Sequence, residues 1–327
     1  MAGEVRFTKI PYTSVKHDID TNVQPKHFNT AFHTTDEAPG FERPSEAPYS
    51  FKRWLPVILE SRKLPTSSLQ IVRLTVPQTR LLIQACDASI PKGSMNLSLA
   101  EDVEDVIEPA FSGLVFPAEG LFMRLDACSP KDGAQLEPGQ VAVRSVKEAV
   151  LRLVTSLRCR NAIVTALENM KEGPGGGGNV EGPEIYFLPF NERMRSEREY
   201  RAFCPPRGEA ITGISQYRWH KEWMFSDQSG EEKEQVMKKI VTGAREVHKV
   251  ICANIDSRRH MDDLLLKQGF SFDVFYDEEH DTRELVELNV FGIRSGCGSC
   301  LFQWVEDRAQ LYGEGPDGQT LEFRVTM

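Results

Sequence analysis

Phe270–Gly292 reads FSFDVFYDEEHDTRELVELNVFG, and its pattern decides the fold of this chain. Two apolar-rich runs flank a charged centre, which predicts two β-strands joined by a charged turn. Asp273 falls on the first strand, and Glu287 and Asn289 fall two apart on the second. Residues at i and i+2 of a strand share a face, so Glu287 and Asn289 present their oxygens together. Strand pairing near these positions brings Asp273 beside them. An Asp, a Glu and an Asn amide oxygen on one rigid surface make a hard, all-oxygen site suited to Mg²⁺ beside phosphates. Two carboxylates facing the same way need a counter-charge, or one pKa must rise. The competing reading is an acidic hairpin with a solvated face.

The 327 residues around this stretch are enough to bury a sizeable core, expected as two lobes. Apolar residues at 40% and charged residues at 27% place the chain among ordinary globular proteins. A formal net charge of −9 argues against a broad basic surface for duplex nucleic acid, while leaving room for a local basic channel. The opening MAGEVRF lacks an apolar signal stretch and no run reaches membrane-spanning length, so the expectation is cytoplasmic, with no membrane partner. Seven cysteines, an odd number at wide spacing, argue against a disulfide framework and for buried thiols. Cys297 and Cys300 form one C-x-x-C with no second pair or ligand-spaced histidines for structural zinc.

Residues 1–48, rich in Pro, Thr, His, Asn and Asp, are expected as an irregular arm. Residues 49–183 then form an N-terminal lobe and linker, 184–312 a nucleotide- and metal-type lobe, and 313–327 a tail. Leu69–Gln78 reads as a strand leading into a helix near Pro77, and Leu121–Asp126 as a strand. Asp102–Glu108 is acidic and suits a solvated loop or helix face. Apolar positions at Val146, Val150, Leu153, Val154 and Leu157 predict one amphipathic helix over 146–170. The glycine run in 172–183 lacks a following Lys-Ser/Thr, so it reads as a flexible connection and not a phosphate loop. Ile185–Phe190, Glu199–Cys204 and Glu209–Gln216 read as successive strands, 231–252 as a helix with His248 at its apolar edge, and Leu301 as the start of a closing helix. The sum is an α+β fold with antiparallel hairpins and no alternating nucleotide-binding βαβ pattern.

Several blocks, in order, resemble the cell division cycle protein 123 family. Arg53–Val57 (RWLPV) resembles its short Trp-aromatic-Pro segment, and Leu121–Ala134 (LFMRLDACSPKDGA) its strand bearing the ATP lysine with the Ser-Pro-basic-Asp loop. Glu199–Phe203 (EYRAF) and Ile211–Gln216 (ITGISQ) resemble its paired nucleotide strands. FDVF from Phe272, VELNVFG from Val286 and LFQWVE from Leu301 resemble the end of the domain, so coverage is roughly 49–312. The resemblance implies an ATP-grasp fold, two lobes whose antiparallel sheets flank a cleft, with ATP and Mg²⁺ as cofactors. It places Arg124 at the nucleotide-contacting lysine, with Lys131, Asp132, Arg201 and Gln216 among the cofactor contacts. Asp273, Glu287 and Asn289 match the metal ligands, with Glu287 in place of a more usual Asp. Arginine can hold phosphate bidentately but is not a flexible point charge like lysine. Arg201 otherwise reads as a surface pair with Glu199, and Lys131–Asp132 as a charged turn after Pro130.

Departures from the family shape the functional expectation. After ISQ the family has Arg-Asp, whereas this chain has Tyr217-Arg218-Trp219-His220-Lys221, and Pro189 removes an amide donor in the hinge strand. The family's long acidic central tract is missing. Three functions follow from the resemblance: an ATP-binding assembly factor for the γ subunit of eukaryotic translation initiation factor 2, an ATP-Mg²⁺-dependent carboxylate–amine ligase, or a cyclodipeptide synthase. The last draws on fungal arginine-containing cyclodipeptide synthases and would use arginyl-tRNA with no ATP or metal. The basic and aromatic cluster Arg218, Trp219, His220 and Lys221 suits a single-stranded acceptor end, with Arg258, Arg259 and Lys267 extending it. Asp273, Glu287 and Arg201 then carry catalysis, and the expectation leans to this tRNA-dependent amide-bond-forming enzyme. Ser129 and Ser215 have no sequence-defined base. Cys297 or Cys300 serves as a nucleophile only as an exposed, acidified thiol, and Cys128, Cys204 and Cys252 read as small buried hydrophobes.

Overall fold

The computed structural model describes residues 4–171, 181–314 and 320–327. The glycine-rich stretch expected to be a flexible connection lies outside the described residues up to position 180. The chain divides into two compact units, one of Met1–Leu64 with Arg193–Met327 and an inserted one of Pro65–Glu192. The first unit opens with β1 (Val5–Ile10), α1 (Tyr12–Thr21) and α2 (Phe51–Ser61). The inserted unit runs β2 (Gln70–Thr75), α3 (Val76–Ser89), α4 (Ala100–Asp102), β3 (Leu121–Leu125), α5 (Val146–Thr155), α6 (Leu157–Lys171) and β4 (Glu181–Pro189). The first unit resumes with β5 (Glu199–Cys204), β6 (Gly213–Gln216), α7 (Gly230–Ala253), α8 (His260–Gln268), β7 (Phe270–Asp277), β8 (Thr282–Val290), α9 (Arg308–Leu311) and β9 (Leu321–Thr326).

The inserted unit is an antiparallel sheet, order β2-β4-β3, with helices on one face. Val72 and Leu74, Ile185 and Phe187, and Leu121, Met123 and Leu125 alternate inward against Leu82 and Cys86 of α3 and Val150, Leu153 and Val154 of α5. A capping box between Thr75 and Gln78, with Pro in the first turn, starts α3 where the sequence predicted. β4 was expected to lie with β5 and β6. It pairs instead with β2 and β3, because its inward residues complete this core. The helix predicted over 146–170 is two helices. Ser156 breaks it with an extended backbone (ψ 115°), and its hydroxyl accepts from the Cys159 amide to begin α6. The acidic stretch 102–108 is helical, and buries Val103 and Ile107.

The first unit holds a six-stranded sheet, order β1-β9-β6-β5-β7-β8. The β1–β9 and β6–β9 pairs are parallel, and the others antiparallel. Part of the stretch expected as an irregular arm is therefore a strand and a helix, and the expected tail supplies β9. That pairing joins residues more than 300 apart, which no local pattern reveals. One sheet face is apolar: Tyr200, Ala202, Phe270, Phe272 and Val274 are buried on it. α7 covers this face with Ile240, Val241, Ala244 and Val247, and α2 packs on β8. His248 stacks on Phe270 and Phe272 there, with centroids 5.9 and 6.3 Å away. Each buried phenylalanine contributes about 1.5–3 kcal/mol, so this face fixes the sheet's orientation.

Gly269 joins α8 to β7 at φ +79°, where a Cβ would come within 2.7 Å of the Cys204 carbonyl oxygen. Only glycine permits this turn, and it sets the register in which Phe272 faces inward and Asp273 outward. The expected helix after Leu301 is mostly turns, helical only over α9. Leu301, Phe302 and Trp304 are all buried there.

At the end of β7, Asp277 accepts two 2.6 Å hydrogen bonds from Arg193 and one at 2.8 Å from His280, fixing the hairpin turn. These bonds, led by Arg193, hold its carboxyl well below the usual range. A carboxyl depressed on folding stabilises above its unfolded pKa, and that contribution is lost as pH falls through the folded value. Asp277→Asn is expected to cost roughly 2 kcal/mol at pH 7. In urea denaturation the gap from the parent should narrow as pH drops below about 4.

Candidate functional site

The opposite face of the six-stranded sheet is polar. Its register aligns one row across every strand: Thr8 opposite Arg324, Arg324 opposite Ser215, Ser215 opposite Arg201, Arg201 opposite Asp273, and Asp273 opposite Glu287. Asn289 stands on the same face of β8, opposite Ser271. A bulge follows, in which Leu285 pairs with Val274, so β8 spends an extra residue at Val286 just beyond Glu287. Such bulges bend a strand and re-aim its side chains.

The row centres on a buried ion pair. Arg201 donates from Nε to Asp273 Oδ1 at 2.8 Å and from Nη2 to Oδ2 at 2.7 Å. Its Nη1 donates to the Gly298 carbonyl at 2.9 Å, and the guanidinium lies 5.0 Å from the Tyr217 ring centroid. Arg201 is 6% exposed and Asp273 1%. Burial opposes the charged guanidinium, but the adjacent Asp273 charge outweighs it and raises the Arg201 pKa well above the usual value. Arg324 is held similarly, by two 2.7 Å bonds to Asp307 and one of 2.9 Å to Glu322. It also donates to the Leu301 carbonyl, while the Leu301 amide donates to Ser215 Oγ at 3.1 Å. The two arginines thus fasten the 297–302 loop over the middle of the polar face.

Asp273, Glu287 and Asn289 do come together on one face of the sheet. Asp273 was expected as a metal ligand and catalytic group. Both its oxygens accept from Arg201, and Oδ2 also accepts from Asn289 Nδ2 at 3.0 Å. At 1% exposure it is the counter-ion of Arg201 and the anchor of Asn289. With the amide nitrogen on Asp273, the Asn289 carbonyl oxygen is left to accept or ligate. Glu287 and Asn289, both half-buried, therefore fit Mg²⁺ with two protein oxygens, as such ions commonly bind when phosphates and water supply the rest. The geometry does not suit Asp273 as a third direct ligand. Among the described residues, no group of three or more His, Cys, Asp or Glu side chains is arranged for a metal ion.

Arg201, expected to touch phosphate or to pair with Glu199 at the surface, is instead buried on Asp273, directly across from it on β7. Gln216 was expected as a cofactor contact. It sits on the other sheet face, opposite Tyr200, and donates to the Arg218 and Lys221 carbonyls at 2.9 and 2.7 Å. Its Oε1 accepts from the Thr326 amide, so it ties β6 to β9.

Arg124, Lys131 and Asp132 belong to the inserted unit. Arg124 stands opposite Tyr186 on the face away from that unit's core, and its Nε donates to the Leu125 carbonyl at 3.1 Å. Asp132 accepts from Ser156 Oγ at 2.5 Å and from the Arg158 amide at 3.2 Å, bonds that lower its pKa despite partial burial. It caps the start of α6, which accounts for its place in the sequence without a substrate.

The cluster after β6 is partly exposed. Arg218 pairs with Glu197 at 3.2 Å, and Trp219 packs edge-on against His220. Partial burial, then Arg218 and Lys221, lower the His220 pKa. The buried tryptophan of this region is Trp223, which donates to the Tyr200 hydroxyl at 2.8 Å. Arg258 pairs with Asp256 and Lys267 with Asp263, as solvated helix flanks do. Arg324 and Asp307 were missed by sequence reasoning. The alternation of Leu321, Phe323 and Val325 was the available signal that Arg324 faces the polar side of a strand.

No family model and no curated protein matches this sequence. Among solved structures, Cdc123 from Schizosaccharomyces pombe aligns at TM-score 0.54 and 16% identity, covering 90% of this chain and 99% of that one. Its C-terminally truncated form aligns at TM-score 0.54 and 17% identity with the same coverage. The RimK domain protein ATP-grasp from Sphaerobacter thermophilus DSM 20745 aligns at TM-score 0.33 and 11% identity, over 84% of this chain and 66% of that one. The chain has the α+β fold of Cdc123, as its sequence blocks implied.

Removing one member of a buried ion pair leaves the other charge uncompensated, at a typical cost of about 3–5 kcal/mol. Arg201→Met should destabilise by roughly that much in guanidinium denaturation. The double variant Arg201→Met with Asp273→Leu should regain much of it. A single variant as stable as the parent would show that the pair is not a structural keystone.

Proposed function

We propose that this chain is an ATP-grasp-like binding protein that holds Mg²⁺–ATP through Glu287 and Asn289, and in the loaded state engages a protein partner as an assembly factor does. The observation that carries this reading is the fixed Asn289 amide. Asp273 holds its nitrogen, so its carbonyl oxygen stands on the same strand face as the Glu287 carboxylate. Bound Mg²⁺ would neutralise phosphate charge there. Arg201 and Arg324 line the same face, yet each already has a carboxylate partner, Asp273 and Asp307. The face therefore favours holding a cation–nucleotide complex over supplying extra positive charge to a phosphoryl group in transfer. That weighs for the binding role over a carboxylate–amine ligase.

The partner follows from the family resemblance, which points to the γ subunit of eukaryotic translation initiation factor 2. The aminoacyl-tRNA reading has less support. Its basic cluster has Arg218 on Glu197, and Arg201, its expected catalytic arginine, is held by Asp273. No described helix is long and apolar enough to cross a membrane.

Isothermal titration with ATP tests the reading. Binding should require Mg²⁺ and vanish with EDTA, and Glu287→Gln should weaken it about tenfold, the equivalent of about 1.4 kcal/mol. Size-exclusion with the γ subunit should show a complex strengthened by Mg²⁺–ATP. Absence of nucleotide binding at millimolar ATP would overturn the proposal. Sustained ADP release with a carboxylate and an amine would replace it by the ligase, and a dipeptide formed only from charged arginyl-tRNA by the synthase.

A further inference from the structure

The bulge in β8 decides where Glu287 points, and the apolar pattern of the strand leaves its position open between two residues. Leu285 and Leu288 are both buried on the apolar face, opposite Val274 and Phe272. Glu284 and Glu287 both lie on the polar face, opposite Phe275 and Asp273. Residues three apart share a face of a strand only when an extra residue lies between them. Val286 and Glu287 separate the two leucines, and one of them must be that extra residue. Were it Glu287, Val286 would stand opposite Asp273, and the carboxylate would leave its place beside Asn289.

The end of α2 makes the choice. β8 is the edge strand of its sheet among the described strands, so its outer backbone groups need partners other than a strand. Ser61, the last residue of α2, accepts from the Leu285 amide on Oγ at 2.9 Å. Arg62, which caps the helix, donates from Nε to the Leu285 carbonyl and from Nη2 to the Val286 carbonyl, each at 3.1 Å. Leu285 therefore turns both backbone groups away from β7. In a regular antiparallel ladder the next residue turns its own toward the partner strand. Val286 instead offers its carbonyl to the same guanidinium. That makes Val286 the extra residue and gives Glu287 the position opposite Asp273. A planar guanidinium suits this task, since its donors are set in a fixed fork that spans two neighbouring carbonyls.

We infer that Arg62, supported by Ser61, is a positioning residue for the cation site: it selects Val286 as the bulged residue and so holds the Glu287 carboxylate beside the Asn289 carbonyl oxygen. This role rests on the metal-binding reading of Glu287 and Asn289 given above. Groups that orient a metal ligand commonly change metal affinity by about 10–100-fold. Here the orientation passes through the ligand's own backbone.

The test uses the full chain with Arg62→Gln and Arg62→Lys, and two readouts. In nucleotide-free protein, amide hydrogen exchange followed by mass spectrometry should be about tenfold faster in the peptide covering 282–290 of Arg62→Gln. The peptide covering 199–204 should be unchanged. By isothermal titration, Arg62→Gln should bind Mg²⁺–ATP about tenfold more weakly than the parent, with Arg62→Lys between them. A residue that only fastens α2 to β8 would lower the melting temperature and leave the affinity of the folded protein where it was. Unchanged affinity in Arg62→Gln, beside a parent that binds Mg²⁺–ATP, would overturn this inference and leave the binding reading standing. Unchanged exchange over 282–290 would overturn it too. A parent that binds no nucleotide would overturn the binding reading and this role with it. Arg62→Lys keeps the charge and a flexible stem, so it carries both readouts if Arg62→Gln fails to fold.

Discussion

A guanidinium and a carboxylate, almost completely removed from water, face each other across two strands at the centre of a six-stranded sheet. Arg201 and Asp273 make the strongest kind of protein hydrogen bond, doubled and charge-assisted, and each is costly to bury without the other. The pair demands that β5 and β7 stand in one register, since a slip of either strand by one residue would turn its charge into the phenylalanine core behind the sheet and leave the other unpaired. The remaining polar arrangement follows. Asp273 holds the Asn289 amide, Arg201 holds the Gly298 carbonyl, and Arg324 repeats the device one strand pair away.

This pair also bears on which residues of the polar face could bind. Asp273, which resemblance would make a metal ligand, is occupied by an internal cation, and the proposed reading gives the metal to Glu287 and Asn289 on the outermost strand. A site built this way has a rigid floor with little net charge of its own. In the role proposed above, a nucleotide would be held by oxygens aimed at a metal ion, not by arginines aimed at phosphate. That is a physical reason to favour a holding function over phosphoryl transfer.

The cysteines show how far spacing misleads. Cys297 and Cys300 have the spacing associated with redox chemistry, yet burial keeps both thiols protonated. Acidity depends on local dielectric and neighbouring charge, and neither can be read from sequence spacing.

The hairpin from Phe270 to Val290, the shared face of Glu287 and Asn289, and the helices from Val76 and Gly230 were legible in the sequence. Each rests on a local period or on a cap a few residues away. The α+β class and the ATP-grasp-like resemblance were legible from ordered blocks for the same reason. Only tertiary structure decided that Arg201 belongs to Asp273, that Gln216 and Asp132 are braces, that β4 joins the inserted unit and that β1 pairs with β9. Those outcomes depend on which strands become neighbours and which charges lose their water. Local sequence sets the direction of a side chain; the partner it meets is set by the whole fold.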